Sequence, residues 1–125
     1  MPIKILDIGQ CGFDGPRMAA RWKSAGASVD CAANASDAVG LLAQESFDIV
    51  LVNRILAADR GSGLEVIRSL LAAGLKAPIM LVSDLSEAQD QAVALGAVRG
   101  FGKAALHEQS TLDLVFQTAG AKPRP

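Results

Sequence analysis

The chain has 125 residues, half of them apolar, and a formal net charge of −1. That length suits one compact domain with its own core. The near-neutral balance gives no general attraction for nucleic acid or an anionic membrane, and no apolar run is long enough to span a bilayer.

Asp7 comes too early in the chain for a secretory leader, so a cytoplasmic location is expected. Ile3 to Ile8 reads as a first strand with Asp7 inside it, and Gly9 to Gly15 as a glycine-rich loop. Pro16 fits the first helical position, where its missing N–H costs nothing. The helix continues through Met18, Ala19, Trp22 and Lys23 and stops at Gly26. Ala27 to Ala33, with Asp30 inside it, is a weaker strand predicted at the sheet edge. Ser36 is the expected cap of a second helix, Asp37 to Gln44, with Val39, Leu42 and Ala43 on its apolar face.

Phe47-Asp48-Ile49-Val50-Leu51-Val52-Asn53 is the centre of the pattern. A strand covered on both faces reads as unbroken aliphatic residues, and this run ends on a single polar side chain. Ligands and chemistry gather outside the carboxyl ends of parallel strands, which is where Asn53 falls. Its amide is a donor and an acceptor but not a useful nucleophile, base or metal anchor. The long loop Arg54 to Gly63 follows, then a helix marked by Leu64, Ile67 and Leu71 and closed by Gly74. Ile79 to Val82 is the fourth strand, ending at Ser83-Asp84. Ser86 and Glu87 open a helix through Ala92, Val93 and Leu95 to Gly96. Val98 to Phe101 is the last strand, leading to Lys103. Ser110-Thr111 is the expected cap of a final helix carrying Leu112, Val115, Phe116 and Ala119. Five strand–helix units predict an α/β fold with one parallel sheet covered on both faces. Residues 1–120 are expected to form the domain and 121–125 a disordered tail.

The segment Asp48 to Asn53, with Gly63-Leu64-Glu65-Val66-Ile67, Pro78 to Ser83, Gly96-Ala97 and Lys103, resembles a response-regulator receiver domain across essentially the whole chain. The resemblance implies a flavodoxin-like, doubly wound five-stranded sheet of order 2-1-3-4-5 with five helices. It places a phosphoacceptor aspartate at Asn53, an acid pair for Mg²⁺ at Gly9 and Gln10, a Ser/Thr at Ser83 and a lysine at Lys103. Here the chain departs from the pattern. Asn53 cannot form an acyl phosphate, and Gly9 and Gln10 lack the carboxylate oxygens that Mg²⁺ needs. Asp84 adds negative charge at the pocket mouth. Phe101 lies one residue nearer Lys103 than the family's switch aromatic, which puts it on the other face or requires a bulge.

The expected site is therefore a degenerate phosphoacceptor pocket of Gly9, Gln10, Asn53, Arg54, Ser83, Asp84 and Lys103, with no catalytic residue, metal or cofactor. Asn53 would hydrogen-bond loop backbone. Asp7, Asp14, Asp59 or Asp84 would pair with Lys103 or Arg54, and loss of Lys103 would then be strongly destabilising. The resemblance together with these departures leads to the expectation of a phosphorylation-independent, non-enzymatic signalling domain in a two-component or phosphorelay setting. Its protein partner, a histidine kinase or an effector, would meet the fourth helix, fifth strand and fifth helix, with Ala88, Ala92, Leu106 and Phe116 as surface contributors. A homodimer through that face is a further expectation, with neither nucleic acid nor membrane as partner.

Two other readings belong beside this one. Cys11 and Arg17 have the cysteine-five-arginine spacing of phosphatase loops, ahead of a helix N-terminus that can hold phosphate and lower a thiol pKa. Against it, Asp14 would repel the dianion and Pro16 deletes one donor. The third reading is a small-ligand sensor at the carboxyl edge, where Gly9, Gly12, Gly61 and Gly63 would give mobile loops around a polar floor. The two cysteines, Cys11 and Cys31, are too few for a disulfide framework and read as reduced thiols. Trp22 is expected to be partly buried, and His107 to face solvent.

Overall fold

The computed structural model describes residues 2–124. Strands and helices alternate as β1 (Lys4–Ile8), α1 (Asp14–Ser24), β2 (Ser28–Ala32), α2 (Ala35–Gln44), β3 (Ile49–Asn53), α3 (Gly63–Ala72), β4 (Ile79–Val82), α4 (Ser86–Leu95), β5 (Val98–Phe101) and α5 (Gln109–Thr118). A 3₁₀ turn at Lys103–Ala105 precedes α5. The strands form one parallel sheet of order 2-1-3-4-5, with β2 at an edge as expected.

Alternation of side chains along each strand divides the core in two. Leu6, Ile8, Val50, Val52 and Leu81 pack with Ala38 of α2, Val66, Ile67 and Leu70 of α3, and Ala88 and Ala92 of α4. On the other face, Ile5, Ile49, Leu51 and Met80 pack with Met18 and Trp22 of α1 and Leu112, Val115 and Phe116 of α5. This two-sided covering is the physical reason that β3 reads as an unbroken apolar run. Trp22 is fully buried rather than partly so, edge-on to Phe101 at 5.7 Å between ring centroids.

The helix starts differ from expectation. α1 begins at Asp14, so Pro16 lies inside its first turn, where N–H groups still lack intrahelical partners. Asn34, not Ser36, caps α2: its side-chain oxygen accepts the Asp37 N–H at 2.9 Å. No side chain caps α5, which starts at Gln109 ahead of Ser110 and Thr111. Along α2, Ala38 faces the core while Val39 is 52% exposed and lines a groove against the end of α3. In the tail, residues 121–124 form neither helix nor strand, yet the Ala121 N–H donates to Phe116 O at 2.8 Å and the Arg124 N–H to Ala25 O at 2.7 Å. Pro125 lies outside the described residues.

Of the two alternatives for Phe101, β5 takes the bulge. Met80 opposes Val98 and Val82 opposes Phe101, so β5 holds one residue more than β4 over that interval. The extra residue is accommodated by Gln89 of α4, a buried side chain with no mark in the apolar pattern. Its Nε2 donates to Leu81 O at 2.9 Å, Ser83 O at 3.0 Å and Phe101 O at 3.4 Å, while its Oε1 accepts the Gly100 N–H at 2.9 Å. Phe101 is thereby turned inward, 7% exposed, against Trp22.

Candidate functional site

Asn53 ends β3 at the carboxyl edge, with its side chain half-buried. Its Nδ2 donates to Ile55 O at 2.8 Å and to Gly9 O at 3.2 Å. The amide therefore ties the β3–α3 loop to the β1–α1 loop. Gly9 is suited to this junction because its φ is +82° and a Cβ there would strike the Leu56 side chain. Its carbonyl also accepts the Ala57 N–H at 3.0 Å. At the other end of the loop the Gly63 N–H donates to Arg54 O at 2.7 Å, and a Cβ at Gly63 would collide with Asn53 O. An antiparallel bridge between Ile55 and Ser62 and a hydrogen bond from the Leu56 N–H to Gly61 O at 2.9 Å close the span. The glycine-bearing loop that sequence alone reads as mobile is thus pinned at both ends.

Of the four acids considered as partners for Lys103, Asp14 takes the role. Lys103 Nζ lies 2.8 Å from Asp14 Oδ2, with the two side chains 33% and 21% exposed. Lys103 holds the Asp14 carboxyl below the ordinary carboxylate range, with weaker help from Cys11 and Arg17. Asp59 instead accepts the Gly61 N–H at 2.8 Å. Asp84 accepts the Ala104 N–H at 3.3 Å, holding the 3₁₀ turn that carries Lys103. The Ser83 hydroxyl accepts the Leu85 N–H at 3.1 Å ahead of α4. Arg54 makes no ion pair among the described residues. Asn53, Arg54, Ser83, Asp84 and Lys103 are brought together around a cleft of about 360 Å³. Gly9 reaches this cluster only through its carbonyl, and Gln10 turns away from it toward Asp7.

Asp7 is the group whose placement the apolar pattern does not convey. It shares the α1 face of the sheet, is 1% exposed, and accepts Gln10 Nε2 at 3.1 Å through Oδ1. Burial raises its carboxyl to about 7, against the opposing pull of the Gln10 hydrogen bond and the more distant Lys103 charge.

The Cys11–Arg17 segment does not form an anion cradle. Asp14 already contacts Cys11 Sγ at 3.5 Å, Arg17 Nη1 at 3.4 Å and Lys103, so a carboxylate stands where a phosphate dianion would have to lie. Arg17 also reaches exposed His107, with 3.5 Å between Nη2 and Nε2, and covers the Phe13 ring at 5.1 Å.

No family model matches the chain, and no curated protein matches it in sequence. Solved structures do match. NtrX from Brucella abortus superposes with a TM-score of 0.80 at 20% identity, over 95% of this chain and 27% of that one. The receiver domain of NtrX alone gives 0.79 at 20% identity, over 92% and 96% of the two chains. The chain has the receiver-domain fold. The chemotaxis response regulator CheY4 of Vibrio cholerae, at 0.75 and 17% identity over 95% and 99%, is a further similar structure. This chain thus spans about a quarter, 27%, of that NtrX chain.

The Mg²⁺ that the receiver fold implies does not suit these residues. The positions of the acid pair hold Gly9 and Gln10, Asn53 directs its N–H groups at backbone carbonyls, and no cluster of three ligating acids, histidines or cysteines occurs among the described residues. Nor does any helix among them have the length and apolarity to cross a membrane.

Proposed function

We propose that this receiver-fold domain signals without phosphorylation, by protein–protein contact in a two-component type of pathway. The observation that carries the reading is the internal use of the pocket's polar groups: the Asn53 amide holds Gly9 and Ile55, and Lys103 holds Asp14. An amide nitrogen has its lone pair delocalised into the carbonyl, so Asn53 offers no nucleophile for a phosphoryl group. An anion approaching Lys103 would have to displace the Asp14 carboxylate, which is tied to the same scaffold. The domain is then held in one state by its own residues, with no enzymatic step, metal or cofactor.

The partner surface is the face of α4, β5 and α5. The side chains first expected to contribute to it do not: Ala88, Ala92, Leu106 and Phe116 are all core, because they point at the sheet. Val93 and Val98 are exposed instead, at 44% and 39%, beside the Asp90–Arg99 ion pair at 2.7 Å. A histidine kinase, an effector or a second copy of the chain is the class of partner that this apolar and charged mixture suits.

Incubation with Mg²⁺ and acetyl phosphate followed by intact-mass measurement tests the reading. The expected mass is unchanged; a stable gain of about 80 Da, one phosphoryl group, would overturn it. A second reading rests on Arg54, which lines the cleft and makes no ion pair among the described residues. It makes the cleft a small-anion sensor, and saturable thermal stabilisation by an acidic metabolite would favour it over the interaction module.

A further inference from the structure

Four buried side-chain nitrogen or oxygen atoms among the described residues have no hydrogen-bond partner, and two belong to one contact: Asp7 Oδ2 and Gln10 Oε1. Their other halves are already joined, Gln10 Nε2 donating to Asp7 Oδ1 at 3.1 Å. Two buried acceptors left unpaired on one acid–amide contact form an unfavourable arrangement, because neither receives a donor in exchange for lost water. A single hydrogen on Asp7 Oδ2 removes both defects at once. The carboxylic acid then donates to Gln10 Oε1 while accepting from Nε2, closing a ring of two hydrogen bonds.

We propose that Asp7 and Gln10 form a proton-binding site, a cyclic acid–amide pair that closes when Asp7 takes up a proton and opens when the proton leaves. The ligand is a proton because both unpaired oxygens are buried acceptors and a single hydrogen on the acid satisfies them together. The elements around Asp7 supply little that would offset a negative charge. Asp7 lies opposite Cys31 of β2 and uncharged Leu51 of β3. The pocket on its α1 side adds Cys11, Lys23 and Gly15, and Lys103 acts from beyond β5 while bonded to Asp14. Burial and the nearby Asp7 charge both push the Cys31 thiol up, so that thiol is no counter-ion. The carboxyl's rise to about 7 agrees with this geometry.

The position gives the proton a structural consequence. Gln10 lies between Gly9, which is held by Asn53, and the turn at Cys11 and Asp14, which carries the partner of Lys103. When the proton leaves for bulk water, the Asp7 carboxylate faces the Gln10 carbonyl oxygen, acceptor against acceptor. The amide must then turn or withdraw, and the β1–α1 loop with it. The proton would be an input to a pocket in which Asn53 replaces the phosphoacceptor, and the site stands whether or not the domain signals through a protein partner.

The test is side-chain carboxyl NMR on the intact carbon-13- and nitrogen-15-labelled chain, from about pH 5 to about pH 9. The Asp7 Cγ is expected to titrate near 7, and the Gln10 side-chain amide to shift with the same midpoint. Asp7 titrating near the ordinary 3.8, or a Gln10 amide that does not follow it, would overturn the proposal. Asp7→Asn supplies a fixed mimic of the protonated state, since its Nδ2 donates to Gln10 Oε1 as the acid would. Its Gln10 amide signal should sit at the acidic wild-type position throughout; a signal that still moves as in the wild type would also overturn it. Assignment through the Asp7 Cβ keeps the wild-type titration decisive even if the variant does not fold.

Discussion

The two polar clusters at the carboxyl end of β1 behave in opposite ways. At the pocket, the polar groups are in structural use: Asn53 donates to two carbonyls, Ser83 accepts from Leu85, and Lys103 pairs with Asp14. A short distance away on the α1 face, Asp7 and Gln10 keep one oxygen each unpaired. Satisfied groups resist change because any new partner must displace an old one, whereas an unsatisfied buried acid invites a proton. The contrast teaches that polar groups tied up at one cluster leave titratable chemistry open at its neighbour.

The largest effect expected from this contrast is in stability against pH. A raised folded pKa means that the native state binds its proton more tightly than the unfolded chain. The Asp7 contribution is therefore full below the ordinary 3.8, declines as pH rises, and is gone above about 7. Within that window the slope is about 1.4 kcal/mol per pH unit. Asp14 works in the other sense: its carboxyl is lowered, so its contribution is present above 3.8 and lost as pH falls through its folded value. Denaturant titrations at several pH values should show the decline from Asp7, and Asp7→Asn should flatten it. A wild-type stability that rises over the same window would break the comparison.

Next in size is Gln89→Leu, which removes the side-chain partner of the Gly100 N–H and of the Leu81 and Ser83 carbonyls, while Phe101 O keeps the Ser83 N–H. A loss of about 2–3 kcal/mol is expected by urea unfolding, from the cost of unpaired buried groups. Asn53→Asp follows. It replaces two donated hydrogen bonds by a carboxylate facing Gly9 O and Ile55 O, for a loss of about 1–2 kcal/mol. That variant should also stay unmodified by Mg²⁺ and acetyl phosphate in an intact-mass measurement, because the acid pair at Gly9 and Gln10 is still missing.

Lys103→Ala should cost less than the sequence suggests, about 1 kcal/mol by the same unfolding assay, because a half-exposed pair is screened by water and salt. The 33% and 21% exposure of its partners takes it out of the fully buried class. Smallest of all is Val98→Asp on the partner face, within about 0.5 kcal/mol of the wild type in stability. Its effect should be read instead in binding to whichever protein a pull-down recovers.

The apolar patterning alone located every strand to within a residue or two, and the family resemblance supplied the strand order. Patterning succeeds there because a two-sided sheet makes each strand a continuous apolar run, as in Ile49-Val50-Leu51-Val52. Caps were less legible: Asn34 and Ser36 are both good cap residues, and only the backbone angles choose between them. The helix faces misled in a similar way, since Ala88 and Ala92 are small enough to read as surface yet lie flat against the sheet.

The sequence by itself determined which groups are available at the expected pocket: an amide at position 53 and a glycine and an amide at positions 9 and 10, none of which offers a carboxylate. It left two places for Phe101, the other face of the sheet or a bulged strand, and the register of β5 against β4 decided for the bulge. Only the tertiary structure decided that Asp14, rather than three other acids, meets Lys103. It alone assigned Gln89 to the bulge and brought Asp7 and Gln10 to share a buried contact. Those pairings join residues by angle and depth across different elements, quantities that no periodicity in one dimension encodes.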